Sequence, residues 1–236
     1  MNQSGKIILL HGASSSGKST IARGVQATID EPFWHISIDH LRDSGVLPSA
    51  RIRNGDFNWG DMRPQFFDGF HKSLAAYAQA GNNLIVEHIF DTDGWLSDLA
   101  ILFAPLDVFF VGVHCSLPEL IRRETAQGNR QPGSAEQDYR TIHRGLSYDL
   151  EIQSELSLEE NIEQLISAWK SRKSPGVFAR MVSNQVCINR FRSREVCAAL
   201  HRAMATCATQ SSGWRPTASG WPTWRRWLFP TGSNCA

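Results

Sequence analysis

A loop of small residues near the start of the chain has the composition and spacing of a phosphate-binding site. Its first eight residues match the pattern G-x-x-x-x-G-K-[ST] in full. In such a loop the backbone amides point at phosphate oxygens, while the lysine and the hydroxyl reach the phosphates and a magnesium ion. We predict that ATP and Mg²⁺ bind here through Gly12, Ala13, Ser14, Ser15, Ser16, Gly17, Lys18, Ser19 and Thr20. The alternatives are a glycine-rich turn that binds nothing and a nucleotide loop that has lost its catalysis.

Two acidic residues follow apolar runs that read as buried strands. Asp39 ends "FWHISID" (33–39), where the ligand sites of open α/β sheets collect, so it could take a proton from an attacking hydroxyl. It could equally be the N-cap of a short helix. Glu87 lies in "LIVEHIF" (84–90), at a position where an acid orients Mg²⁺ or its waters, or where a strand end simply meets solvent. His88 beside it could touch a substrate or only pack.

Arginines flank a Gly/Pro-containing loop, "GNRQPGSAE" (128–136), in the second half of the chain. Small kinases with a phosphate loop close a mobile lid whose guanidinium groups offset charge on the transferring phosphoryl group and exclude water. We predict this catalytic role for Arg130, which lies in the loop itself. Arg122, on the preceding helix, is interpreted as part of a solvated helix face.

Strands and helices alternate along the chain, and this order predicts an α/β fold. Strands are predicted at 6–10, 33–39, 84–90, 106–115 and 148–154, and helices at 19–29, 63–80, 95–102, 116–128, 136–146 and 157–169. Capping-box patterns open the helices that follow Ser116 and Ser157. The expected fold is a three-layer P-loop kinase fold, with a mostly parallel five-stranded sheet, helices on both faces and a small arginine-bearing lid.

The composition is that of an ordinary globular chain. Of the 236 residues, 42% are hydrophobic and 20% are charged. No apolar run approaches the roughly 18 residues of a spanning helix, and no signal peptide is apparent, so we expect a cytoplasmic protein without a membrane partner. Five cysteines at irregular spacing suggest neither a disulfide framework nor a zinc site. An oligomer is compatible with the sequence but cannot be read from it.

The two parts of the chain differ in charge. Residues 1–174 carry 16 Lys and Arg against 22 Asp and Glu, a formal charge of −6, which argues against a nucleic-acid substrate. The remainder carries eight Arg and one acid, a formal charge of +7, together with four cysteines and four tryptophans. We predict a P-loop kinase domain over 1–173 and a basic, Trp/Cys-rich extension over 174–236. The extension reads either as a cationic anchor or as a poorly ordered segment, and we assign it no chemistry.

Several further segments resemble one family. "IILLHGASSSGKST", "ISIDHL", "NLIVEHIF", "LDVFFVGVHC", "RRETAQGNR" and "HRGLSYDLEIQS" are similar, in order and spacing, to segments of the chloramphenicol phosphotransferase-like proteins over roughly residues 4–170. The resemblance implies a P-loop kinase fold and transfer of the ATP γ-phosphate to a primary hydroxyl of chloramphenicol or a related small molecule. It also implies that Asp39 is the base, that Lys18 and Ser19 are the functional residues of the loop, and that Arg130 is the lid arginine.

The sequence departs from the family pattern at positions that concern the acceptor. Glu87 stands where the family often has aspartate, His88 where the drug-modifying enzyme has an acid, and Asn129 where Gly-Asp-Arg is usual. Phe57 and Trp59 could stack on an aromatic acceptor or could be core residues. Rival hypotheses are a kinase for another metabolite or a nucleotide-sugar, and an ATP-binding regulatory module without an acceptor.

Overall fold

The computed structural model describes residues 3–127, 133–173 and 175–181. The predicted lid residue Arg130, and most of the predicted extension, lie outside these described residues. Within them, the structure forms an α/β fold around a single sheet of five strands in the order β2-β3-β1-β4-β5. The strands are β1 (Lys6–His11), β2 (Phe33–Ser37), β3 (Asn83–His88), β4 (Asp107–His114) and β5 (Leu150–Gln153), and every neighbouring pair is parallel.

Eight helices with both ends in the described residues connect or follow these strands, and residues 177–181 are helical as well. They are α1 (Lys18–Thr28), α2 (Ile38–Asp43), α3 (Ser49–Arg53), α4 (Trp59–Gln79), α5 (Trp95–Leu102), α6 (Leu117–Gln127), α7 (Ser134–Thr141) and α8 (Leu158–Lys170). None of the helices described is both long and apolar enough to cross a membrane.

The apolar strands are buried on both faces, as their near-continuous hydrophobic runs predict. Alternate residues of β1 divide between two cores: Ile7 and Leu9 pack with α4 and α5, whereas Ile8 and Leu10 pack with α1 and α8. Each of these four side chains is fully buried, which stabilises the fold by about 1.5–3 kcal/mol per side chain. The three-layer architecture predicted from the sequence is therefore confirmed.

Several helix limits differ from the prediction for local reasons. Helix α4 begins at Trp59 rather than at residue 63, because the side chain of Asn58 accepts a hydrogen bond from Gly60 N–H and caps the helix earlier. The capping box of Ser157 and Glu160 forms as predicted. The box predicted at Ser116 does not: Ser116 donates from both its hydroxyl and its amide to Glu155.

The chain that contributes to the core extends past the predicted domain limit at residue 173. Val177 and Phe178 are buried in the core on the α4 side of the sheet. Asp149 ties this segment to β4, because its carboxylate accepts hydrogen bonds from Phe110 N–H at 2.9 Å and from Val177 N–H at 2.8 Å. At least residues 175–181 thus pack with the domain that precedes them.

Candidate active site

The loop between β1 and α1 has the backbone that its sequence predicts. Ser15 is the one non-glycine residue with positive φ in the described chain, at 61°, and Gly17 has a φ of 95°. A Cβ atom on Gly12 would lie 2.4 Å from the carbonyl oxygen of Val113, so only glycine fits there. The glycines and the neighbouring strand therefore impose a tight curl on the loop, and its residues from Ser15 onward line the cleft.

Lys18 is the first residue of α1 and is buried against the loop. Its Nζ donates to the carbonyl oxygens of Gly12 and Ala13, both at 2.7 Å. These contacts fold the side chain back along the loop and hold a positive charge beside the amino end of α1. The helix dipole adds positive potential at the same place, so the combination favours an anion.

Ser19 and Glu87 meet although they are 68 residues apart. Ser19 Oγ donates to Glu87 Oε2 at 2.7 Å, and His35 Nε2 contacts Glu87 Oε1 at 2.5 Å. Burial alone would raise the pKa of Glu87, but the hydrogen bonds from His35 and Ser19 and the charge of Lys18 outweigh it and hold that pKa below its ordinary value. Glu87 is therefore an anionic carboxylate next to a hydroxyl. The exposed strand end considered from the sequence does not occur, since Glu87 is buried.

Asp39 lies in the first turn of α2, directly after β2. The N-cap of this helix is Ser37, whose hydroxyl accepts from His40 N–H, so the alternative of Asp39 as the cap is wrong. The carboxylate of Asp39 faces the cleft and also pairs with Arg42 Nη1 at 3.0 Å. The base candidate and the phosphate loop are thus brought to one cavity.

That cavity is a continuous cleft of about 670 Å³ at the carboxyl edge of the sheet. One end is formed by the phosphate loop, α1, α6, the segment after β5 and the start of α8. The other end is formed by α2, α4 and the segment after β3. The arrangement suits two ligands that bind end to end, as a transfer reaction between them requires.

His88 also faces the cleft, from the opposite face of β3 to Glu87. It is buried, and its Nε2 lies 2.8 Å from Nε2 of His71 on α4. Burial, followed by the neighbouring charges of His71 and His11, lowers the pKa of His88 well below its ordinary value. At neutral pH the ring is therefore uncharged, and one of the two facing nitrogens donates a hydrogen bond to the other.

The structure does not bring the two predicted aromatic contacts to this cleft. The ring of Phe57 lies against the guanidinium of Arg51, whose central carbon is 4.2 Å from the centre of that ring. Trp59 packs edge-on against Phe66, with ring centres 5.5 Å apart, at the margin of the core. Both side chains are held by local partners in the α3–α4 region, and neither is among the residues that line the cavity.

The two arginines of α6, Arg122 and Arg123, differ in exposure and in the groups that they contact. Arg122 is 69% exposed and pairs with Glu119, as expected of a solvated helix face. Arg123 instead reaches the phosphate loop, where Nη1 donates to the carbonyl oxygen of Ser16 at 3.3 Å and to Ser154 Oγ at 3.1 Å. It thereby ties α6 and the end of β5 to the loop.

Sequence reasoning named Arg123 beside the loop without assigning it a role, and missed His35, Arg42, Arg63 and Asp91. All but His35 line the cleft, and His35 supports Glu87 from the neighbouring strand. The available signal was positional: His35 precedes Asp39 by four residues, and Asp91 follows His88 by three, so both lie near the ends of parallel strands. The position of Arg63 gave no such signal, because this residue lies within the long helix α4 and not near the end of a strand.

These features define the fold and site of a P-loop kinase. The chain belongs to the chloramphenicol phosphotransferase-like protein family, whose model matches residues 5–170. Proteins from two strains of Mycobacterium tuberculosis that carry the provisional name of O-phosphotransferase are 29% identical over 197 residues, which is 75% of this chain and 88% of theirs.

Solved structures share the architecture at low sequence identity. The APS kinase CysC of M. tuberculosis, in complex with AMPPNP and APS, gives a TM-score of 0.53 at 20% identity and covers 71% of this chain and 98% of its own. A gluconokinase from Sinorhizobium meliloti gives 0.51 at 20% identity, over 79% and 98%. The tunicamycin resistance protein of Deinococcus radiodurans gives 0.51 at 15%, over 71% and 97%. At these identities the likeness establishes the kinase fold alone.

Proposed function

We propose that this protein transfers the γ-phosphate of ATP to a hydroxyl group of a small molecule. The observation that carries the proposal is the single cleft that Lys18, Ser19 and Asp39 share. Binding of ATP by the loop involves Lys18 and Ser19 but does not require Asp39. A carboxylate in the same cavity, beyond the loop, supplies the group that a transfer to a hydroxyl needs.

At the loop end, the residues present fit a nucleotide and a magnesium ion. Backbone amides of the loop and the amino end of α1 would hold the phosphates, with Lys18 placing a positive charge against them. Ser19 and Glu87 together offer two oxygen ligands, the type that Mg²⁺ takes. No cluster of three or more metal-binding side chains occurs in the described residues, which suits an ion held mainly by phosphate oxygens. When bound, the ion would neutralise charge on the phosphates.

At the other end, Asp39 would accept the proton of the acceptor hydroxyl. The hydroxyl oxygen forms a bond to the γ-phosphorus, the bond between that phosphorus and the bridging oxygen of ADP breaks, and ADP leaves. Lys18 would stabilise charge on the phosphoryl group during this step. We keep the prediction that Arg130, which lies outside the described residues, has the same role in the lid. The family description makes chloramphenicol the first acceptor to test, with resistance to the drug as the consequence.

The test is ADP release from purified protein with Mg²⁺ and ATP, with and without chloramphenicol, followed by mass spectrometry of the drug. Lys18→Ala removes a charge close to the phosphates, which at about 4 kcal/mol corresponds to a loss of about 10³-fold in transfer. Asp39→Ala removes the base, for a loss of about 10²- to 10⁴-fold.

Matched controls are Lys72→Ala and Asp68→Ala, which change an exposed pair on α4 outside the cleft and should leave transfer unchanged. Full activity in Lys18→Ala would contradict the proposal. ATP binding without drug-dependent release would reject chloramphenicol, and a panel of hydroxyl compounds would then decide between another acceptor and a module that transfers nothing.

A further inference from the structure

Four arginines line the cleft, and one of them differs from the rest in its contacts. Arg42, Arg63 and Arg123 each pair with a carboxylate at 2.7 Å. Arg23, on α1, is exposed and has no hydrogen bond, ion pair or ring contact with any other described residue. Its guanidinium therefore has all of its N–H donors to offer to a ligand of the cleft.

The sequence around Arg23 explains why its charge is left unpaired. Helix α1 contains no acidic residue, so no carboxylate lies one turn before or after Arg23 on the helix surface. The first two acids that follow the helix are already paired: Asp30 contacts Lys170 and Glu31 contacts Lys6, both at 2.6 Å. The positive charge of Arg23 is thus not neutralised by its neighbours along the chain.

Arg23 lies one helical turn after the residues of α1 that belong to the predicted phosphate site. Ser19 precedes it by four residues and Thr20 by three, so the three side chains are neighbours on the helix surface. A long side chain on a helix leans toward the amino end and covers the turn before its own Cα. The guanidinium of Arg23 is therefore directed toward the turn of Ser19 and Thr20, in agreement with its place in the cleft wall.

The surroundings of that turn favour an anionic group. The amino end of α1 carries the positive end of the helix dipole, and Lys18 adds a full charge beside it. None of the described residues that line the cleft from the phosphate loop, α1, α6 or the start of α8 is acidic. Glu87, which faces α1 from β3, already accepts a hydrogen bond from Ser19. An anion bound over the turn would thus meet donors and cations.

A second arginine shows that the position of Arg23, and not its exposure, is the distinguishing feature. Arg53, the last residue of α3, is also exposed and has no partner in the part of the chain that the structure describes. Arg53 does not line the cleft, however, so it is an ordinary solvated side chain. Arg23 combines the same unpaired charge with a place at the phosphate site.

We propose that Arg23 binds a phosphate group of the nucleotide held by the loop, as a cation additional to Lys18. The inference rests on the proposed function in placing a nucleotide at this end of the cleft. A guanidinium presents paired N–H donors that match two oxygens of one phosphate, which the ammonium group of lysine cannot do. Arg23 would thus hold the phosphate chain from the outer side of α1, while the loop amides hold it from the other side.

The test is calorimetric titration of the full chain with AMPPNP, ADP and AMP in the presence of Mg²⁺. Arg23→Gln removes the charge and the paired donors and should lower the affinity for AMPPNP by about tenfold or more. Arg23→Lys keeps the charge without the paired donors and should lose less. The three ligands identify the phosphate: a loss that extends to AMP assigns the first phosphate, a loss with ADP but not AMP the second, and a loss with AMPPNP alone the terminal one.

Arg53→Gln is the matched control, because it removes the same charge from an exposed arginine outside the cleft; it should bind all three ligands as the wild type does. Urea unfolding of Arg23→Gln should also match the wild type, since Arg23 contacts no other described side chain, and this separates weaker binding from a loss of fold. Wild-type affinity for AMPPNP in Arg23→Gln, or an equal loss in Arg53→Gln, would overturn the inference.

The outcomes also separate the inference from the proposed function. Nucleotide binding that weakens in Arg23→Gln, in a protein that transfers phosphate to no hydroxyl compound, would keep the inference and remove the transfer. Nucleotide binding and transfer that are lost in Lys18→Ala but unchanged in Arg23→Gln would keep the proposed function and remove the inference. A wild-type chain that does not bind AMPPNP would overturn both.

Discussion

The stability of this protein should depend steeply on pH because four of its histidines are held neutral in the folded state. Burial, as the largest cause, lowers the pKa of His11 to about 4 and that of His143 to about 3, from an ordinary value of 6.5. The same cause lowers the pKa of His71, and that of His88 well below 6.5. In the unfolded chain each of them takes up a proton near the ordinary value.

The magnitude follows from this difference. Above about pH 6.5 the histidines are neutral in both states, so the stability is fully present. As the pH falls below that value, the unfolded state binds protons that the folded state does not, and each histidine lowers the free energy of unfolding by about 1.4 kcal/mol per pH unit until its folded pKa is reached. His11 and His143 together give about 3 kcal/mol per pH unit, and His71 and His88 add to the loss in the same direction, so a domain at the lower end of the usual range of about 5–15 kcal/mol would unfold within about two pH units.

The perturbation that isolates one histidine is His11→Phe. The His11 ring packs among aromatic rings, with Phe90 at 5.0 Å and His143 at 5.4 Å, so phenylalanine suits the site. The variant loses the hydrogen bond from His11 to the carbonyl oxygen of Ile142, at a cost of about 1 kcal/mol at neutral pH. Its stability should fall less steeply with acid, by about 1.4 kcal/mol per pH unit.

The assay is urea unfolding followed by tryptophan fluorescence at a series of pH values between about 7 and about 5. Asp30→Asn, which changes an exposed residue paired with Lys170, is the control and should keep the wild-type slope. A wild-type slope no greater than that of one histidine, or a slope in His11→Phe equal to that of the wild type, would refute the reasoning.

Two further substitutions test individual carboxylates. Asp149→Asn should lower the free energy of unfolding by about 1–3 kcal/mol, because an amide offers one acceptor oxygen for the two backbone N–H groups of Phe110 and Val177; Asp149→Ala should cost more, and a urea titration that finds both within error of the wild type would contradict this. Glu87→Gln should raise the Mg²⁺ concentration needed for half-maximal ADP release by about 10- to 100-fold, while ATP binding in the presence of EDTA changes little; an unchanged Mg²⁺ requirement would remove Glu87 from the metal ligands.

The fold could be predicted from the sequence because its signals are local. Short apolar runs that stop at glycine loops gave the strands, and Ser157 with Glu160 gave the start of α8. The start of α4 was misplaced because the Gly, Asn and Asp content of "NGDFNWGD" (54–61) indicated a loop, whereas the Asn58 cap begins the helix within that segment. Helix α2 was considered only as an alternative and α3 was not predicted, since helices of five or six residues bury too little to leave a pattern.

The residues of the candidate site could be predicted from the sequence only where the pattern that marks them lies within one short segment. The phosphate loop is contiguous, and Asp39 and Glu87 follow their strands directly. Arg63 and Asp91 pair at the end of the cleft formed by α2, α4 and the segment after β3, but they are 28 residues apart and meet only once α4 lies over the sheet. His35 meets Glu87 through the register of β2 and β3, which pairs His35 with Ile85. Register is a property of the assembled sheet and has no single-segment signature.

The end of β3 shows how one strand can serve both ends of the cleft. Successive side chains of a strand point to opposite faces, so Glu87 and His88, adjacent in sequence, cannot share a partner. Glu87 turns toward α1, where the hydrogen bonds from His35 and Ser19 and the charge of Lys18 keep it anionic. His88 turns toward α4, where burial and the neighbouring His71 keep its ring uncharged. Two neighbouring residues thus present a carboxylate and an uncharged ring to opposite faces of the sheet, and exchanging their order would place a buried charge against the apolar layer and leave Ser19 without its carboxylate partner.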